Sequence, residues 1–341
     1  MTRRRFIALA LAAVVVLAGA LAAVVVATSG SGAEITVYTA RLHYGEEEAF
    51  RRFAERTGYD VRLFGGGGPD LNERLRAEGE LTQADLLITV DAANLAEAKR
   101  RGLLRPVDSP ALRRAVPGRL RDPGSTWFAL TTRARTVMRS TERVPERAAP
   151  RTYADLGDPR WRGRLCLRTS DSVYNTSFVA DLVAKDGREA TERMLRGWMA
   201  NEPRTLGSDV EVLEEIERGA CDVGLANSYY LARELKERPR LPVAPVFVDQ
   251  GGRGTHVNLS GVGVTRHAKD PGPARELAEY LASPEAQELF AEINGEFPAN
   301  PRARLPERIR GWQEARFDPI DPGTGRLQPE AVKLMNEVGW K

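Results

Sequence analysis

The sequence has 341 residues, 42% of them hydrophobic and 28% charged, with a formal net charge of +3. That length allows two lobes with a core each, and that composition excludes a disordered chain. Arg3, Arg4 and Arg5 supply the whole excess (+3 − 3 = 0), so the basic pI gives no ground for nucleic-acid binding.

In chain order, "MTRRR" precedes "FIALALAAVVVLAGALAAVVVAT", residues 6–28, which carries no charge. This is the pattern of an export signal. Its 23 residues also match the about 20 that a bilayer span needs. Residues 1–33 are therefore expected as a signal peptide or an N-terminal membrane anchor. In either case the arginines stay in the cytoplasm and the rest lies outside. No cysteine falls between positions 20 and 35, which argues against a lipid anchor.

"EITVYTA" predicts a strand and "EEEAFRRFAERTG" a helix, with Phe50, Phe53 and Ala54 on one face and Gly58 at its end. "YDVRLFG" is a strand, "GGGGPD" a turn that opens the helix "PDLNERLRAEG", and "ADLLITVD" a strand buried on both faces. "AANLAEAKRRG" closes at Gly102. After the strand "WFALTTRARTVMRS" the alternation restarts. "WRGRLCLRT" is a strand, "SFVADLVAKDG" and "ATERMLRGWMANE" are helices, and "CDVGLANSYY" is a strand running into a helix. The strands "LPVAPVFV" and "HVNLSGVGVT" and one long helix, "PARELAEYLASPEAQELFAEI", follow. Strands alternating with helices of this length imply parallel sheets. The expected fold class is α/β, with two lobes joined by two crossover strands around a ligand cleft. Residues 34–130 plus 245–290 form the first lobe, and 131–244 plus 291–341 the second lobe and a C-terminal tail.

Ligands of such sheets bind beyond the carboxyl ends of strands. His43 and Tyr44, Asp91, residues 170–174 and residues 227–230 all follow strand ends. The chain has no GxxxxGK, CxxC, HExxH or GxSxG motif and only three histidines, so nothing points to a nucleotide-binding loop, a zinc site or a serine hydrolase. What remains is His43, Tyr44, Tyr174, Tyr229 and Tyr230. A small trivalent cation ionises phenols and takes hard oxygen donors, so this set suits Fe(III). Tyrosines that stack on a sugar, or sit half-buried with satisfied hydroxyls, fit the same spacing. Cys166 and Cys221 each lie in or beside a strand; they form a disulfide or are two small buried residues. Arg133 and Arg135 alternate along the crossover strand and are expected on opposite faces. His256 is expected to be structural.

Several stretches occur together and in order: "ADLLITVDAANLAEAKRRGLLRPV", "RDPGSTWFALTTRARTV", "TYADLGDPRWRGRLCLRTSDSVYNTSFVA", "CDVGLANSYYLAR", "RGTHVNLSGVGVTRHAK" and "SPEAQELFAEINGEFPANP". On these, residues 34–300 resemble the ferric-ion-binding periplasmic proteins of iron ABC importers, in particular the cyanobacterial-type branch. The resemblance implies a type II periplasmic-binding-protein fold and a monomeric, extracytoplasmic binding protein, not an enzyme. Its transported ligand would be Fe(III), with or without a synergistic anion, and its partners an ABC permease and its ATPase. Residue by residue it makes Tyr229, Tyr230 and Tyr174 metal ligands, with His43 and Tyr44 from the first lobe. The sequence departs from the family at "ARLHY", where Leu42 separates Arg41 from the His-Tyr pair, so the first-lobe ligand is Tyr44, His43 or both. Arg41, Arg133 and Arg233 are candidates to hold an anion or tune the charge beside the phenolates. The alternatives are the same fold binding a polyamine, thiamine or sugar phosphate, or an exported iron-dependent or hydrolytic enzyme.

Overall fold

A computed structural model describes residues 27–28, 32–41 and 47–341. Most of the export segment, and the predicted ligands His43 and Tyr44, lie outside the described residues. The first part of the chain forms β1 (Ala27–Thr28), β2 (Glu34–Thr39), α1 (Glu47–Thr57), β3 (Asp60–Gly65), α2 (Gly68–Glu78), β4 (Leu86–Thr89), α3 (Ala92–Arg100) and α4 (Pro110–Ala115). The long β5 (Phe128–Ser140) leads to β6 (Leu165–Arg168), α5 (Val173–Asp186), α6 (Arg188–Ala200), β7 (Arg204–Leu206), α7 (Asp209–Glu217), β8 (Val223–Asn227), α8 (Ser228–Glu237) and β9 (Val243–Val246). The chain returns through β10 (Val257–Val264), α9 (Pro271–Leu281), α10 (Pro284–Asn294) and β11 (Phe297–Pro298), and reaches α11 (Gln328–Glu337).

The strands run in the order β1-β3-β2-β4-β10-β5-β8-β6-β7, with β9 and β11 both paired to β5. Within each lobe the pairs β2–β3, β2–β4, β6–β7 and β6–β8 are parallel, as crossover helices require. The two lobes meet on β5. Its first half pairs with β10, up to Ala134, and its second half pairs with β8 from Arg135 onward. One apolar core gathers residues of β2 to β5 with α9 and α10, and another gathers α5, α6, β6, β8 and α11. This is the two-lobed α/β architecture expected from the alternation of elements.

Two details differ from the sequence reading. The long helix predicted after β10 is two helices. Ser283 caps the second by accepting from the Ala286 amide, and Pro284 in its first turn cannot continue α9. The expected tail is an ordered part of the core: α11 packs on α5, and Trp340 is fully buried with its ring 5.9 Å from that of Trp198.

A polar seam joins the lobes beside the crossover strands. Asp91, the N-cap of α3, accepts from the Ala93 amide at 3.0 Å and from Asn258 Nδ2 at 2.9 Å. Its other carboxylate oxygen accepts from Ser177 Oγ of α5 at 2.5 Å and from Gln328 Nε2 at 2.9 Å. The turn at residues 322–327 lies between α3 and α5, and a Cβ at Gly325 would collide with Ala93.

Candidate metal centre

β6 and β8 are neighbouring parallel strands, so the helices that follow them start side by side. Ser172 accepts a hydrogen bond from the Tyr174 amide at 3.3 Å, which starts α5 at Val173 and makes Tyr174 its second residue. β8 runs straight into α8, of which Tyr229 and Tyr230 are the second and third residues. The two elements thereby turn three phenols toward one place. Tyr229 Oη donates to Tyr174 Oη at 3.0 Å, with the two rings nearly perpendicular and 6.5 Å apart. The Tyr229 and Tyr230 rings lie 4.2 Å apart.

Both residues of the pair are 9% exposed. Burial first, then the neighbouring Tyr174 and Tyr230, pushes the Tyr229 phenol well above its ordinary pKa. Burial, with Tyr174 and Asp209, raises that of Tyr230 as well. These phenols stay neutral at ordinary pH unless a strong local positive charge ionises them, which is what a small trivalent cation does. Among the described residues, no group of three or more His, Cys, Asp or Glu converges as a metal site.

Beside Tyr174 lies a small cavity, lined also by Arg133, Arg135, Asn227, His256 and Asn258. Arg133 and Arg135 share this lining, which corrects the expectation of opposite faces: residues two apart on a strand point the same way. Arg133 donates to the Val90 carbonyl and sets its guanidinium carbon 5.6 Å from the Tyr174 ring centroid. Its Nη1 is buried without a hydrogen-bond partner among the described residues. Arg168, at the end of β6, stands the same 5.6 Å from that ring. Burial works against its charge, but Asp209, Tyr230 and Tyr174 outweigh that and raise its pKa. Tyr174 therefore sits against two fixed positive charges. Sequence reasoning passed over Arg168, although its position at a strand end was the available signal.

Arg233 is half-buried on α8, three residues beyond Tyr230. Arg41 is buried elsewhere: its guanidinium donates to Glu296 at 2.6 Å and to Thr131 Oγ1 at 2.8 Å, over the Phe290 ring. His256 holds Asp181 Oδ2 through Nδ1 at 3.0 Å, and its amide donates to Tyr153 Oη at 3.1 Å. Cys166 of β6 and Cys221, just before β8, are joined in a disulfide with Cα atoms 5.8 Å apart. That link ties together the two strands whose ends carry the tyrosines.

A two-lobed α/β fold with a polar cleft at its strand ends is the architecture of a solute-binding protein. The chain belongs to the family described as bacterial extracellular solute-binding protein, which matches residues 82–316. It is 39% identical to Iron uptake protein A1 of Synechocystis sp. over 92% of this chain and 89% of that one. With Iron uptake protein A2 of the same organism it shares 37% identity over 94% and 96%. The Trichodesmium FutA (IdiA) structure in complex with iron and citrate ligands superposes with a TM-score of 0.82 at 36% identity, covering 90% of this chain and all of that one.

Proposed function

We infer that the chain is an extracytoplasmic binding protein that captures Fe(III) on Tyr174, Tyr229 and Tyr230 and delivers it to an ABC permease with its ATPase. The observation that carries this reading is the 3.0 Å approach of the Tyr174 and Tyr229 hydroxyls, made by two separate helices. Three phenolates balance the charge of a trivalent ion, and a buried site magnifies that match. The relatives' iron uptake names and the iron and citrate in the Trichodesmium structure support the same reading.

Capture begins on the second lobe. The lobes then close about the two crossings, and Tyr44 or His43 completes the coordination. Arg133, with its free Nη1, is the group for an accompanying anion, and Arg233, on the same helix three residues beyond Tyr230, is the group that tunes the charge of the pair. Iron binding displaces the phenolic protons, so acid favours release. No turnover is required, and a monomer suffices. Residues 1–33 act as the export signal or as an anchor to the membrane.

Purified protein mixed with ferric citrate and desalted is expected to keep iron and show a visible phenolate-to-iron charge-transfer band. Protein that keeps no iron and stays colourless, but gives heat with a polyamine, thiamine or a sugar phosphate, would make it an organic-solute binder instead.

A further inference from the structure

The three phenols come from two helices, and something must set the spacing between those helices. Behind the phenols, Arg135 of β5 meets both. Its Nε donates to Asn175 Oδ1 at 2.9 Å, the residue next to Tyr174. Its Nη1 donates to Asp209 Oδ2 at 3.0 Å and to Asn227 Oδ1 at 3.2 Å, and Nη2 lies 3.5 Å from Asp209 Oδ1. Asn227 is the residue that β5 pairs with Arg135, two before Tyr229, and its amide donates to the same Asp209 oxygen at 3.0 Å. Asn175 in turn donates to the carbonyls of Arg168 at 3.1 Å and Thr169 at 2.8 Å, where β6 ends. Arg135 is only 2% exposed and Asp209 is fully buried.

The backbone of Arg135 is fixed from the crossing side. Its amide donates to the His256 carbonyl at 3.0 Å, and its own carbonyl accepts from Tyr153 Oη at 2.5 Å. Tyr153 Oη also receives the His256 amide. One residue thus connects both stretches that pass between the lobes to both helix starts that carry tyrosines. A planar guanidinium suits this position because its donors leave in fixed directions, one toward each helix. A buried ion pair is by itself weak grounds for stability, so the arrangement calls for another role. Groups behind metal ligands fix ligand orientation, and their loss typically lowers affinity by about 10–100-fold.

We propose that Arg135, held by Asp209, is the positioning residue of the tyrosine site. Its guanidinium sets the distance between Tyr174 and the Tyr229–Tyr230 pair. This rests on the iron-binding reading above. The test compares wild type with Arg135→Lys, which keeps the charge but loses the fork, and with Asn175→Ser, which removes the Tyr174-side acceptor together with its two donations to the end of β6. Three quantities are read: melting of the iron-free protein, the wavelength and intensity of the visible band per bound Fe(III), and the citrate concentration that strips half the iron. Both variants are expected to shift the band and to lose iron at about 10–100-fold less citrate. Variants that melt lower yet keep the wild-type band and citrate resistance would overturn the proposal, because a merely stabilising residue behaves that way. If Arg135→Lys does not fold, Asn175→Ser decides alone. A wild type that shows no band overturns the iron reading itself; a wild-type band that the variants retain overturns only this inference.

Discussion

On the second lobe, Arg135, Asp209, Asn175 and Asn227 bond to one another behind Tyr174, which lines the cavity, and its neighbours Tyr229 and Tyr230. On the first lobe, Asp91 does the opposite. Its carboxylate reaches outward and accepts from Ser177 and Gln328 across the seam. The polar groups of one side bond mainly among themselves, Asn227 Nδ2 alone of that set being buried without a partner among the described residues, and present a finished surface, while those of the other hold the two sides together. On the proposed reading, binding and closing fall to different residues, so removing one should leave the other.

The largest effect should come from the finished surface. Tyr229→Phe combined with Tyr230→Phe removes two hydroxyls and little packing, and is expected to weaken Fe(III) binding by more than about 100-fold, beyond what loss of a supporting group costs. Competition against citrate measures the loss, and calorimetry of the iron-free protein should show little change in melting. If the double variant retains iron as wild type does, the assignment of binding to the second lobe fails.

A smaller and different effect is expected at the seam. Asp91→Ala leaves Ser177, Gln328, Asn258 and the Ala93 amide without their shared acceptor. Each buried donor left unpaired costs about 1–3 kcal/mol. The iron-free protein should open, seen as a larger radius in small-angle scattering, and iron should leave about tenfold faster, the equivalent of about 1.4 kcal/mol. The visible band should keep its wavelength, because no phenol has moved. A band shift in this variant would show that the two tasks are not separate.

The least effect at neutral pH lies in titration, where the comparison can be sharpened without a metal. Burial holds the Tyr229 and Tyr230 phenols above their ordinary pKa. A group whose folded pKa is raised contributes stability that is fully present below its unfolded value, near 10 for tyrosine, and lost as pH rises through the folded value. The iron-free protein should therefore melt at falling temperatures above about pH 10. Tyr229→Phe should flatten that decline, whereas Asp91→Ala should leave its slope alone.

Much of this was legible in the sequence because it depends on residue type and period. Alternating strands and helices marked two α/β units, and two adjacent tyrosines at the end of "GLAN" drew attention to that strand end, although both rings proved to be buried. Tyr174 was reached by the same rule of strand ends. The supporting set was less visible. Asp209 and Asn175 are single polar residues at helix starts, indistinguishable in sequence from ordinary caps, and only the folded chain brings them to Arg135. The division of α9 from α10 did have its signal in Ser283–Pro284, which a continuous apolar pattern concealed. The buried C-terminal helix had none strong enough: Trp340 meets Trp198 through a packing choice made far along the chain.

That packing bears on how the protein matures. The core containing Val137, Leu165, Phe178 and Trp198 is closed by Ala331, Leu334, Met335 and Trp340. A chain emerging from its N-terminal side completes neither core early: the first lobe's waits for residues 259–299, and the tyrosine-bearing lobe lacks one wall until residues 331–340 have followed. Partly emerged chains then carry exposed tryptophan and a tyrosine cluster still unset, the stage at which holding factors act and aggregation threatens. Ending the chain at Glu337 should therefore yield little folded iron-free protein, although it leaves Tyr174, Tyr229 and Tyr230 in place.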